Sequence, residues 1–284
     1  MSQKALIGFI DVLGFSELVK RKDFGDLFEQ YIQLIRNALN ARGQTHMEYV
    51  VFSDSIVIVS EKTDYKSLFL LIEAVSLFSF EALTKLGLPI KGSITSGNIT
   101  YKKQDGDVVI AGTPIVEAYK LEQSQNWVGA MISPNTIREY EHFFDLVDYP
   151  NLQVPIQLER LKKNMAWAIT VQKTGLIPYK NKSDDDFFEG YAIVPRRLSS
   201  VDAGHLKEDM NEYLDALTKE KFFSASPDVQ RKYRNTEQFV QQVISLWHKR
   251  WASNTYRMHF WSKNEARNRT DAGYAIFAPD APLD

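Results

Sequence analysis

The sequence contains no cysteine, which excludes disulfide staples, thiolate zinc sites and cysteine nucleophiles and fits a reducing compartment, with the cytoplasm expected. Histidine is scarce. His46, His142, His205, His248 and His259 show no metal-ligand spacing with one another, so a histidine metal centre is not expected. Nor is there an excess of charge of one sign: Lys and Arg total 34 against 36 Asp and Glu, a formal charge of -2. Without a global positive field, no stable nucleic-acid partner is expected. Long apolar runs are missing too. The most apolar stretch, Ser67 to Phe80, is interrupted by Glu73 and is shorter than the ~20 residues of a membrane span, so no membrane partner is expected. The N-terminus enters Ala5 to Val12 directly, a run too short for a secretory core, so export by that route is not expected.

What is present is a chain of 284 residues, 44% hydrophobic and 25% charged, enough for one large domain or a domain with a substantial appendage. Ala5 to Val12 is a near-continuous apolar run, as in a strand buried on both faces, and Asp11 is its anomaly. Ser16 is a plausible N-cap for a helix in which Phe24, Leu27, Phe28, Tyr31, Ile32, Ile35 and Leu39 repeat at helical spacing, ending near Gly43. Residues 48 to 60 form two β-branched arms around a Ser53-Asp54-Ser55 tip, a hairpin. A second core-facing helix spans Tyr65 to Leu86, closed by Gly87 and Pro89. Strands at 90–101 and 107–111, joined across Asp105 and Gly106, precede a helix from Gly112 to Glu122 with Pro114 in its first turn. Strands are also expected at Val128 to Ser133 and Met165 to Val171, with a short helix from Pro134.

This order, β-α-β-β-α-β-β-α-β, predicts an α+β sandwich of a mostly antiparallel sheet with helices. Beyond Gln172 the texture changes. The acidic Asp184-Asp185-Asp186 precedes a helical region from Leu206 to Lys249, and residues 196–269 carry 14 Lys and Arg against 9 Asp and Glu. The expected division is a domain at 1–175 and a mainly helical C-terminal extension at 176–284.

Two acids stand where packing alone does not place them. Asp54 has a simple reading as a favoured turn residue, and Asp11 as a cap for the turn that follows it. The pair says more, because a first strand beside a hairpin brings both carboxylates together. Two nearby carboxylates repel unless a cation neutralises them, and hard oxygen ligands select Mg²⁺ or Mn²⁺, ions that also bind substrate phosphates. Directly after Asp11, the turn at Leu13, Gly14, Phe15 and Ser16 leads into a helix N-terminus whose N–H groups suit an anion. By contrast, Ser53 has no adjacent His base, which speaks against a serine nucleophile. Trp247 to Trp251 mixes aromatic and basic residues and reads as a helix surface rather than an RNA contact.

These residues carry a resemblance. Phe9 to Phe15, an aromatic with an acid two residues on and then Gly14-Phe15, is similar to the first-strand motif of class III nucleotide cyclases. Phe52-Ser53-Asp54-Ser55 resembles the hairpin motif of that family, Gly92 to Gly97 its glycine-bearing fourth strand, and Gly112 to Glu122 its dimer-contacting helix. Ser53-Asp54-Ser55 together with the Glu117-Ala118-Tyr119 and Leu121-Glu122 pattern most resembles the Pycsar pyrimidine cyclases of bacterial antiphage defence, which make 3′,5′-cyclic UMP or cyclic CMP. The likeness covers residues 5 to about 133 and implies the ferredoxin-like class III cyclase sandwich.

The resemblance further implies a homodimer with composite active sites, and two Mn²⁺ or Mg²⁺ ions per site held by Asp11, Asp54 and the backbone of Val12. It implies a nucleotide lying along Leu13, Gly14, Phe15, Ser16 and Ser53, and UTP, or less favourably CTP, as substrate. The cyclic product then acts on a separate cyclic-nucleotide-responsive effector. The departures fall on the dimer helix, where Val116 and Lys120 stand in place of an Asn and an Arg. Lys120 keeps the charge but not the bidentate fork of Arg, so the phosphate contact stays with Lys120 or moves to Lys91 or another Arg. Near the hairpin, where purine cyclases read the base, the chain offers Glu48, Tyr49 and Val50. Tyr49 either narrows the pocket for a pyrimidine or is an ordinary strand aromatic. The alternative function is a catalytically silent cyclase-fold module that binds a nucleotide or partner.

Overall fold

The computed structural model describes residues 2–43, 46–104, 107–141, 143–144, 176–182, 187–199, 203–219 and 226–252. The expected strand at Met165 to Val171, the turn at Asp105 and Gly106, His142, His259 and the acidic run at 184–186 lie outside them, as do the side chains of Trp247 and Trp251.

Strand β1 (Ser2–Val12) lies between β3 (Ser55–Ser60) and β4 (Ile90–Gln104), antiparallel to both. Beyond β3 comes β2 (Met47–Phe52), and β5 (Asp107–Ala111) turns back on the far half of β4. On the other side β4 pairs parallel with β6 (Gly129–Ile132), and β8 (Phe187–Ile193) and β7 (Leu176–Lys182) complete the order β2-β3-β1-β4-β6-β8-β7. Among the described residues, one parallel pairing in an otherwise antiparallel sheet, layered with helices, makes the chain α+β.

Period-two alternation divides β1 between two cores. Leu6, Ile10 and Val12 pack with helices α2 (Phe24–Asn40) and α3 (Tyr65–Leu86) on one face. Ala5, Ile7 and Phe9 pack with Ala118 of α4 (Thr113–Ser124) on the other. Helix α3 has 22 residues and a mean hydropathy of 1.6 over its most apolar window, long and apolar enough to cross a membrane, yet 78% of that window is buried within the protein. It is a core helix, and its buried Glu73 accounts for the acid inside the apolar run. Glu73 takes Arg42 at 2.8 Å on one oxygen and Arg196 at 2.7 Å on the other.

Beyond the short α5 (Pro134–Glu139), a third cluster joins Trp127, Val128 and Met131 to α6 (Ala203–Leu217) and α7 (Pro227–Ala252), with Trp127 and Phe239 rings 4.5 Å apart. Thr236 Oγ1 accepts the Val128 N–H at 2.8 Å, and Asn235 donates to the Asn126 carbonyl at 2.7 Å. Both C-terminal helices were expected. Strands β7 and β8 were not: Pro178 and the polar Lys180-Asn181-Lys182 conceal β7 from pattern reading, and the sheet therefore runs on across position 175 through the β6–β8 pairing.

Candidate active site

The site is built at the end of β1, where Asp11 continues the alternation of Ala5, Ile7 and Phe9 and so lies on the α4 face of the sheet. Its two ladder neighbours are Ser55 in β3 and Lys91 in β4. Ser55 Oγ donates to Asp11 Oδ1 at 3.0 Å. The hairpin tip is a tight turn in which Ser53 adopts φ 57, and the Asp54 carbonyl accepts the Val12 N–H at 3.3 Å, folding the tip over the end of β1.

The carboxyl of Asp11 is pushed up to about 6, first by burial, then by the charges of Glu122 and Asp54; the Ser55 hydrogen bond and Lys91 act against them. Asp11 and Asp54, expected as a pair, are therefore brought close enough to feel one another. Glu122, on the last turn of α4, is an acid that sequence reading left within the dimer-helix motif without a role. It is buried, and its Oε1 takes Lys91 Nζ at 2.7 Å. A third neighbour was also missed. Tyr31 of α2 is fully buried, no hydrogen-bond partner is recorded for its hydroxyl among the described residues, and burial with the charges of Asp11 and Asp54 holds that phenol well above its ordinary range. Spacing marks Tyr31 as one more core position of an amphipathic helix, so only tertiary placement reveals it.

Other expected residues fall differently. Gly14 has φ 81 and ψ 19, the left-handed region, and a Cβ there meets nothing within 4 Å, so backbone conformation rather than space calls for glycine. Gly14, not Ser16, is the N-cap, and the helix it opens is the single turn α1 (Phe15–Leu18), separate from α2. The expected phosphate cradle thus lacks the dipole of a long helix. Leu13 donates its N–H to Pro89 O at 2.9 Å. Phe15 packs edge-on to Phe24 with centroids 5.6 Å apart, a core contact. Ser16 and Ser53 are exposed at the same end, and the Val12 side chain is buried on the α2–α3 face, leaving only its backbone to the site.

Tyr49 is on the wrong face. It pairs with Ile58, whose side chain joins the α2–α3 core, and its hydroxyl accepts from Arg36 Nε of α2 at 2.7 Å. The α4 face of β2 carries Glu48, Val50 and Phe52 instead. Lys91, considered as a phosphate contact, is buried in its pair with Glu122. Lys120 is exposed, and the step of two positions from it to Glu122 amounts to about 200° of helix rotation, so it points away from Asp11 of its own chain. Around Lys120, Val116 and Tyr119 are about half exposed, and Phe52 at the hairpin tip is 79% exposed.

Among the described residues no group of three or more His, Cys, Asp or Glu side chains forms a metal cage. Two carboxylates that leave the remaining positions to water and substrate oxygens are a donor set suited to Mg²⁺ or Mn²⁺. The residues fit such an ion, since a cation there offsets the burial and the neighbouring acids that raise Asp11.

No protein-family model and no curated protein matches the sequence. Several solved structures are similar to the chain. A dimeric guanylyl cyclase domain of the RhoGC fusion protein from the aquatic fungus Blastocladiella emersonii is 14% identical, with 69% of this chain and 99% of that one covered and a TM-score of 0.45. The adenylyl cyclase CyaB from P. aeruginosa is also 14% identical, with 69% and 96% covered and a TM-score of 0.45. The catalytic core of a rhodopsin-guanylyl cyclase with converted specificity, in complex with ATPalphaS, is 12% identical over 69% of this chain and 99% of that chain, with a TM-score of 0.44. The activities named are those of the other proteins.

Proposed function

We propose that this chain is a cytoplasmic nucleotidyl cyclase that converts UTP, or less favourably CTP, to the 3′,5′-cyclic monophosphate and pyrophosphate. The observation that carries this reading is the meeting of Asp11 and Asp54 at one sheet end, with Asp11 partly buried and raised by the charge of the other. Asp11, Asp54 and the Val12 backbone would hold the divalent cations, whose contribution when bound would be to lower the pKa of the ribose 3′-hydroxyl and offset the triphosphate charge. Asp11 must be ionised for this, and Ser55, donating to its Oδ1, steadies the ionised form. The O3′–Pα bond forms as the bond to the β-phosphate oxygen breaks, and the 3′-hydroxyl proton leaves to solvent.

The pyrimidine preference and the role in antiphage defence, through an effector that responds to the cyclic product, rest on the motif resemblance alone, since Tyr49 lies away from the site. A homodimer is supported by the exposed Val116, Tyr119 and Phe52. In it, the Lys120-bearing helix of one protomer faces the carboxylates of its partner. The test is incubation of purified protein with each of the four NTPs and Mn²⁺, with products identified by mass spectrometry. Cyclic UMP or cyclic CMP, absent with Asp11→Asn or Asp54→Asn, is the expected result. Cyclic AMP or cyclic GMP in preference moves the substrate assignment, and nucleotide binding without any cyclic product favours the silent module.

A further inference from the structure

The charged groups nearest Asp11 include a pair that the reaction does not consume. Lys91 stands directly across the β1–β4 ladder from Asp11. Its ammonium is 2.7 Å from Glu122 Oε1, and the two side chains are 4% and 1% exposed. The second oxygen of Glu122 accepts from Gln123 Nε2 at 2.8 Å. Helix α4, which brings Glu122 there, is pinned to β4 by Ser93 donating to Ala118 O at 2.8 Å and Thr95 donating to Pro114 O at 2.9 Å. Asp11, Lys91 and Glu122 thus occupy fixed places on three elements.

A buried ion pair is seldom a good stability device, because desolvation of both partners offsets most of their attraction. Its placement beside a third carboxylate calls for a different account. The two members act on Asp11 in opposite directions, Glu122 against ionisation and Lys91 for it. Lys91 is itself held against its burial by Glu122.

We propose that the Lys91–Glu122 pair is a positioning element of the carboxylate site: Lys91 sets the net charge that Asp11 and Asp54 present to a cation and to a nucleotide, and Glu122 fixes Lys91 in place. This rests on the reading of Asp11 and Asp54 as a cation-dependent nucleotide site. It has an electrostatic signature that loss of packing lacks, since a divalent cation and a triphosphate respond to the local charge with opposite signs. A merely structural pair, when broken, weakens both.

The test measures Mn²⁺ binding by electron paramagnetic resonance without nucleotide. Affinity for 3′-deoxy-UTP, which lacks the attacking hydroxyl, is then measured at saturating Mn²⁺. Lys91→Gln is expected to bind Mn²⁺ about tenfold more tightly and the nucleotide about tenfold more weakly. Glu122→Gln, whose amide oxygen still accepts from Lys91 and keeps it beside Asp11, is expected to do the reverse. The double variant, with the original net charge, is expected within about threefold of wild type in both. If Lys91→Gln does not fold, as judged by circular dichroism, Glu122→Gln decides by the same opposite movement. Affinities that fall together, or that do not move in a folded variant, overturn the proposal. Asp11→Asn is the control: unchanged Mn²⁺ binding there defeats the site reading itself, whereas lost binding there with an unresponsive Lys91→Gln defeats only this inference.

Discussion

Ser55 donates its hydroxyl hydrogen to Asp11 across the β1–β3 ladder at 3.0 Å, stabilising the ionised form of a carboxyl that burial and two neighbouring acids push up to about 6. Removing that donor in Ser55→Ala raises Asp11 further, so the acid limb of the activity profile moves to higher pH and turnover near neutrality falls. A pH–rate profile reads the displacement.

Asp11 also links stability to pH. Its folded value of about 6 exceeds the ordinary 3.8, so the folded state binds the proton more tightly than the unfolded one. The stability gained from that proton is full below about pH 4 and is lost as pH rises through about 6. Asp11→Asn is therefore expected to stabilise the cation-free protein by about 1–2 kcal/mol at pH 8, allowing for partial solvent screening, and to leave it nearly unchanged at pH 4. Urea denaturation at the two pH values checks the sign.

Tyr49 hydrogen-bonds Arg36 on the α2 face of the sheet, away from Asp11. Tyr49→Ala is expected to cost about 2–4 kcal/mol through lost packing and to lower turnover of all four NTPs in the same proportion. A changed ranking of the NTPs would return Tyr49 to the base pocket.

Glu73 carries two guanidinium partners inside α3, and Arg196 is 3% exposed. Glu73→Ala leaves a buried cation without its carboxylate and is expected to cost about 3–5 kcal/mol. Replacing both Glu73 and Arg196 with apolar residues should recover much of this. Equilibrium denaturation of the single and double variants measures the difference.

The proposed composite sites make a quantitative prediction. Inactive Asp54→Asn and Lys120→Ala proteins, mixed in equal amounts and allowed to exchange subunits, form about half mixed dimers, each with one intact site. Activity should rise to about a quarter of wild type. No recovery despite demonstrated exchange would put the carboxylates and Lys120 in one protomer's site.

Sequence by itself determined the elements with strong local periodicity: β1, the β2–β3 hairpin, α2, α3 and the order through β6 follow from spacing of apolar residues and from Gly87 at a helix end. It singled out Asp11 and Asp54 as well, because a charge at the end of a buried strand and one at a hairpin tip stand out against their surroundings. Tertiary structure alone decided what surrounds them. Whether Tyr49 faces α2 or α4 is a matter of strand register, and a one-residue change of register exchanges the faces. Glu122 and Lys91 lie 31 positions apart in the chain and look like ordinary surface charges until α4 is laid across β4. Strand β8 acquires its place by adding to the edge of β6, through long-range backbone pairing that local composition does not encode, and β7 pairs back on β8.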